Sequence, residues 1–249
     1  MKFNKLFSIL ISLLIGGVFF TSLFVIPKAA RANNAPIVVK KKVTAADGLN
    51  PKVLAYAVNA YQWAVKEHEV NNTAVLTIVD FNKPSYEKRL WVIDLKNDRV
   101  LLHMHVAQGC NTGAVYAKHF SNQPGSHESS PGIFTTQNIY DGEHGESLRV
   151  NGLEKGINNN ALTRAIVIHP ASYVTHSFIK QNGYAGRSWG CFAVNPIHAD
   201  TFIHLIKGGS VLFAYAKPEI HDPLVDHALS NAGERLYDAI LHESETYWF

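Results

Sequence analysis

Two stretches of the chain decide its reading: Arg164-Ala165-Ile166-Val167-Ile168-His169-Pro170, and, across a polar loop, Gly186-Arg187-Ser188-Trp189-Gly190-Cys191-Phe192-Ala193-Val194. The first is branched and apolar, as a buried strand is, and it ends in a histidine. The second brackets a cysteine with glycines. A thiol nucleophile needs a base to take its proton, a turn to present the sulfur and backbone N–H groups aimed at the developing oxyanion. His169, at the mouth of the strand, is the candidate base. Gly190 permits a close backbone approach, with the N–H groups near Gly190 and Cys191 as candidate oxyanion donors. The 22 positions from His169 to Cys191 leave room for a loop that brings them together.

Outward from this segment the period is that of strands. Val75–Phe81, Arg89–Leu95, Val100–Val106, Gly132–Gln137, Ser147–Val150, Arg164–His169 and Ser210–Ala216 are short and rich in branched and aromatic residues. Lys96-Asn97-Asp98-Arg99 reads as a hairpin turn. Asn111–Pro131 is a long Gly/Ser/Asn/Pro loop, of the kind that usually carries function. Helical patterns stand at both ends. Asn50 is an N-cap followed by Pro51, with Leu54, Val58, Tyr61, Val65 and His68 on one face as core and Tyr61 and Trp63 as packing residues. Pro196–Lys207 and Pro223–Glu243 complete the set, the latter leading to Tyr247-Trp248-Phe249.

The chain has 249 residues, 47% hydrophobic and 17% charged, with 17 Gly and 10 Pro, the composition of one globular domain. Its first 32 residues read as an export signal: a basic start at Met1–Lys5, an apolar run Leu6–Ile26 and the small-residue site Ala30-Arg31-Ala32. The run is long enough to serve as a membrane anchor if it is not cleaved. Either way the domain is expected outside the cytoplasm, periplasmic or extracellular. Four of the 23 basic residues lie in that leader, so the remainder carries 19 against 20 acidic and lacks the cationic footprint of a nucleic-acid binder. The expected division is a leader at 1–32, a solvated linker at 33–49, a helix at 50–72, the β domain at 73–217 and a helical extension at 218–249.

Ser188-Trp189-Gly190-Cys191, preceded by the strand-terminal His169, resembles the L,D-transpeptidase catalytic domain, the YkuD-like family that remodels bacterial peptidoglycan. Arg89–Leu95 with Val100–Leu102 resembles its opening hairpin, and Ser130-Pro131-Gly132-Ile133-Phe134 its Pro-x-Gly-x-Phe-type strand without the spacer. Phe120–Ser126, His144–Arg149 and Gly186–Ala193 look most like a divergent branch with a Ser-Trp-Gly-Cys-Phe motif, described as murein L,D-transpeptidase catalytic domain proteins. The likeness spans Val75–Ala216. It implies a mainly β (α+β) fold, an L,D-transpeptidase-like β-sandwich with a peripheral N-terminal helix and C-terminal helices. It also implies Cys191 as nucleophile, His169 as base, Ser188 and Gly190 as the turn of the oxyanion site, peptidoglycan stem peptides as substrate and no cofactor. Two positions depart from the pattern: Trp189 stands where the family has a second His, and Ala193 where Arg or Asn is common. Arg187, with its fixed fork of donors, is then the candidate partner of a peptide carboxylate. Trp189 reads as core in preference to a stacking surface for substrate, and His144 as a substrate-side residue and the next base in line.

Two rival functions follow from other residues. A zinc-dependent peptidoglycan hydrolase would draw on His103-x-His105 with His119 and His127, although these lack compact ligand spacing and read as exposed strand and loop histidines. A non-catalytic envelope binding protein would join its two cysteines, Cys110 and Cys191, as the oxidising compartment favours. Cys110 has no base or shaped turn beside it, and its Cα is expected beyond about 7 Å from that of Cys191, too far for a bridge.

Overall fold

The side chain of Asn50 accepts the Lys52 N–H at 2.9 Å and Pro51 follows in the first turn, so α1 (Pro51–Lys66) starts where the cap chemistry puts it. The computed structural model describes residues 48–216 and 231–245. After α1 come β1 (Val75–Asp80), β2 (Leu90–Asp94), β3 (Arg99–Met104), β4 (Gln108–Gly109), β5 (Gly132–Gly142), β6 (Gly145–Gly152) and β7 (Val167–Pro170). A 3-10 turn (Ser172–Val174), α2 (His176–Asn182), β8 (Arg187–Ser188), β9 (Phe192–Val194), α3 (Pro196–Ile206), β10 (Val211–Tyr215) and α4 (Asn231–Glu245) complete the order.

Eight strands form one sheet in the order β3-β2-β1-β10-β5-β6-β7-β9, antiparallel except at β1–β10 and β7–β9. An antiparallel bridge from Val106 to Val194 ties the chain beyond β3 to the opposite edge, so the sheet curls back on itself. The two layers expected of a sandwich are thus opposing halves of one mainly β, α+β sheet. Strand alternation sorts the core. Val75, Val79, Leu90, Val92, Phe134, Leu148, Ile168, Phe192, Val194 and Leu212 share the inner face with α3. Leu76, Ile78, Trp91, Ile93, Ile133, Val211 and Phe213 turn outward and are covered by α1 and α4. Asp94 closes the β2–β3 hairpin by accepting the Lys96 and Asn97 N–H groups, as the turn residues require.

Several expectations shift. The N-terminal helix stops at Lys66 instead of running to residue 72, with His68 in the left-handed region at φ 60°. Its buried stripe is Val53, Leu54, Ala57, Val58, Ala60 and Ala64, because small alanines let the helix lie close on the sheet, whereas Val65 and His68 are exposed. Leu49, read as linker, is buried in the outer core. The strand carrying His169 begins at Val167, since Ala165 adopts φ 52°, a left-handed kink that breaks the run from Arg164. The supposed polar loop after Pro170 holds the 3-10 turn and α2, capped by Thr175 and ended by Gly183 at φ 80°. The leader, the linker up to residue 47, residues 217–230 and the aromatic tail lie outside the described residues, and no described helix is long and apolar enough to cross a membrane.

Arg89 links the sheet to the region of the site. It is fully buried, donates twice to the Val106 carbonyl, and reaches the Lys83 carbonyl at 3.0 Å and Gln108 Oε1 at 2.9 Å. Arg89→Met strips donors from oxygens that burial hides from water. It is expected to cost about 3 kcal/mol or more of unfolding free energy; equilibrium urea denaturation checks this, and an unchanged midpoint contradicts it.

Candidate active site

β7 and β9 run parallel, with Ile168 opposite Phe192 and His169 opposite Ala193. Ile168 and Phe192 point into the inner core, so His169, Cys191 and Ala193 face the other way. The Val167 N–H lies against the Cys191 sulfur, which continues the register one residue back. His169 is therefore on the same face as Cys191, which immediately precedes β9, and diagonal to it across the pair. The thiol donates to the Ala165 carbonyl, 3.7 Å away.

His169 is 4% exposed, and its Nδ1–H donates to the Pro170 carbonyl at 2.9 Å. That bond fixes the tautomer and leaves Nε2 bare, as a base must be. His144, at the tip of the β5–β6 hairpin, lays its ring 4.6 Å from that of His169. Burial, assisted by the charge His144 carries when protonated, holds His169 below the ordinary histidine range. Burial pushes the Cys191 thiol up, against the opposing pull of the Val167 N–H and the Arg164 guanidinium. The resting pair is accordingly a thiol and a neutral imidazole.

Ser188 shapes the turn as its position suggests. It is buried, its hydroxyl donates to the Cys191 carbonyl at 2.7 Å, and its oxygen accepts the Gly190 N–H at 3.1 Å. The Gly190 N–H is thus committed to Ser188, a correction to its reading as an oxyanion donor. Gly190 itself is required: its φ is +112°, and a Cβ would come within 2.6 Å of the Glu128 carbonyl and 2.9 Å of Ile166. From the other side β4 pairs with β8, and the Cys110 N–H donates to the Ser188 carbonyl at 2.7 Å. The turn is strapped from both flanks.

Around it the structure rearranges the remaining candidates. Trp189 is not core: it is 73% exposed and stacks on His127 at 4.7 Å, because its neighbours Ser188 and Gly190 take the buried positions of the turn. Arg187 is exposed, with one donor 3.4 Å from the Cys110 carbonyl. Cys110 and Cys191 both carry free thiols, and the Cys110 sulfur is directed to Asn111 and the His127 carbonyl. His103 bonds the Lys88 carbonyl and stacks on Trp91, and His105 bonds the Tyr86 carbonyl. Among the described residues, no three His, Cys, Asp or Glu side chains gather as metal ligands. Two neighbours of Cys191 escaped the sequence reading. Tyr173, on the 3-10 turn, is pushed up to about 12 by burial and by Cys191, so it stays a phenol beside the sulfur. Arg164 faces Cys191 from the kink before β7. A lone cation leading into an apolar strand was the available signal for Arg164; Tyr173 left none.

A family profile described as the L,D-transpeptidase catalytic domain matches residues 45–215. The chain belongs to this family. No curated protein matches the chain significantly. Among solved structures it is similar to an L,D-transpeptidase from Mycobacterium smegmatis, with 16% identity, TM-score 0.35 and coverage of 57% of the chain and 59% of that protein. It is also similar to L,D-transpeptidase 1 of Mycobacterium tuberculosis (12% identity, TM-score 0.32, 57% and 62%). The helical cell shape determining protein Pgp2 from Campylobacter jejuni matches at 9% identity and TM-score 0.39, over 72% and 62%. The chain spans less than two thirds of the length of these proteins.

The His144 and His169 rings, tilted 30° to one another, make a prediction with a definite sign. A protonated His144 disfavours a proton on His169, and its ring also shields His169 from water. His144→Ala is expected to raise the pH at which His169 titrates, read from imidazole proton shifts in NMR; an unmoved midpoint contradicts the coupling.

Proposed function

We propose that the chain is an exported cysteine acyltransferase acting on peptidoglycan stem peptides. The observation that carries this reading is the placement of Cys191, on a strapped turn, on the same face of neighbouring parallel strands as a buried His169 whose Nδ1 is already engaged. Family membership supports the substrate class. The Cys191 sulfur attacks the carbonyl between the L-centre of the third, diamino residue and the terminal D-Ala while His169 takes the thiol proton. Collapse of the tetrahedral adduct returns that proton to the leaving amine, so D-Ala departs and a thioester remains. An acceptor amine, from a second stem or a free D-amino acid, then attacks the thioester, gives its proton to His169 and frees the sulfur. Water in place of the amine makes the same site an L,D-carboxypeptidase.

The neutral resting pair suits this sequence, because proton transfer then accompanies attack and no charge is buried beforehand. Arg187 and Trp189, both exposed on the turn, offer a carboxylate partner and a flat apolar surface at the rim. The leader Met1–Ala32 supports delivery to the periplasm or cell surface, where peptidoglycan lies. The chemistry as written uses neither metal nor cofactor.

The test is incubation of purified protein with disaccharide-tetrapeptide and mass mapping of products. Cys191→Ala is expected to abolish D-Ala release, and Cys110→Ala to keep most of it; equal loss in both rejects the assignment. His169→Ala is expected to slow acylation by about two to four orders of magnitude. Activity that disappears on chelation would favour a metal hydrolase instead, and a non-reducing mass two units below the dithiol would favour the disulfide-bonded binding protein.

A further inference from the structure

Arg164 makes more side-chain hydrogen bonds than any surface role asks. One guanidinium nitrogen donates to the Ser121 carbonyl at 2.6 Å and to the Ser130 hydroxyl; the other donates to the Ser126 hydroxyl at 3.1 Å and to the Glu128 carbonyl. All four acceptors belong to the long loop Asn111–Pro131. The same Nη2 would stand 3.3 Å from a Cβ on Gly190, so the guanidinium lies directly against the turn that presents Cys191. The left-handed Ala165 that follows makes this possible, because it turns the chain so that the Ala165 carbonyl meets the Cys191 thiol while the Arg164 side chain passes to the turn.

We infer that Arg164 is a positioning residue for the Cys191 reaction: its guanidinium clamps the Ser121–Ser130 loop against the Gly190 turn and holds a positive charge beside the sulfur. This rests on the reading of Cys191 as the nucleophile. The groups that face the sulfur define what the charge can do. Tyr173 is a neutral phenol, and His169, with His144 behind it, is a neutral imidazole on the adjoining strand. Arg164 is thus a permanent cation packed against the turn, distinct from Arg187 on its exposed rim, and the Glu128 carboxylate partly offsets it. As sulfur gains negative charge, during deprotonation or on release from the thioester, Arg164 stabilises it without touching substrate. Burial alone raises the thiol, and Arg164 opposes that shift, so removing the guanidinium raises it further.

The experiment reads the rate of iodoacetamide alkylation at Cys191 against pH, located by peptide mass mapping with Cys191→Ala as control. It needs no peptidoglycan substrate, so its outcome is separate from that of the acyl-transfer assay. Arg164→Gln is expected to move the profile to higher pH and slow alkylation at neutral pH about tenfold. Arg164→Lys keeps the charge and is expected to hold the midpoint near that of the natural protein. Glu128→Gln removes the offsetting carboxylate but leaves the main-chain carbonyl that Arg164 grips, and is expected to move the profile to lower pH. A folded Arg164→Gln variant, verified by circular dichroism, with an unmoved profile overturns the inference. Should Arg164→Gln not fold, an unmoved or raised profile in Glu128→Gln overturns it.

Discussion

Parallel pairing of β7 with β9 is the constraint on which the site depends. Ile168 and Phe192 are pulled into the inner core, where Phe192 meets Phe134 edge-on at 5.4 Å and lies along Phe81 at 6.2 Å. Burying those two side chains leaves the alternate positions no choice of face. His169 and Cys191 turn to the same side because their neighbours are apolar. A slip of one residue in that pairing would send the reactive groups into the core and the aromatic ring into water, so the hydrophobic energy of the sheet also enforces the geometry of the site.

The curl of the sheet supplies the second requirement, a flank for the turn. Val106 bridges to Val194, the Ala107 N–H donates to the Ala193 carbonyl at 2.9 Å, and β4 runs beside β8. The chain leaving β3 therefore braces the turn that holds Cys191. Arg89 fastens this brace from beneath by filling the Val106 carbonyl and the Gln108 side chain. A small cluster of Ala107, Ala171, Val174 and Ala193, with Tyr173 packed against it, fills the space between.

Burial sets the electrical state of the site. It raises the thiol, lowers the imidazole and keeps Tyr173 protonated, all by penalising charge in a poorly solvated place. Burial lowers Arg164 as well, but a guanidinium starts so high that it stays charged, and four acceptors in the 121–130 loop hold it against the Gly190 turn. The exposed rim is different in kind: Trp189 and Arg187 lie in water, with His127 half-buried against the Trp189 ring.

Local chemistry was legible in the chain itself. The Asn50-Pro51 cap, the Lys96–Arg99 turn, most of the strands, the Ser188–Cys191 turn and the family resemblance rest on residue types and short spacings, whose physics acts within a few residues. Trp189 was misread because whether an aromatic side chain is buried depends on what the fold lays over it. The extent of α1 and the start of β7 were misread because both end at non-glycine residues, His68 and Ala165, held in left-handed conformations that only surrounding contacts impose. The contact of the His144 ring with His169 and the reach of Arg164 across to residues 121–130 are long-range contacts. Residue types and spacing brought Cys191 and His169 forward as candidates; the register of β7 on β9 and the closure of the sheet decided which other groups surround them, because such contacts exist only once segments far apart in sequence are packed together.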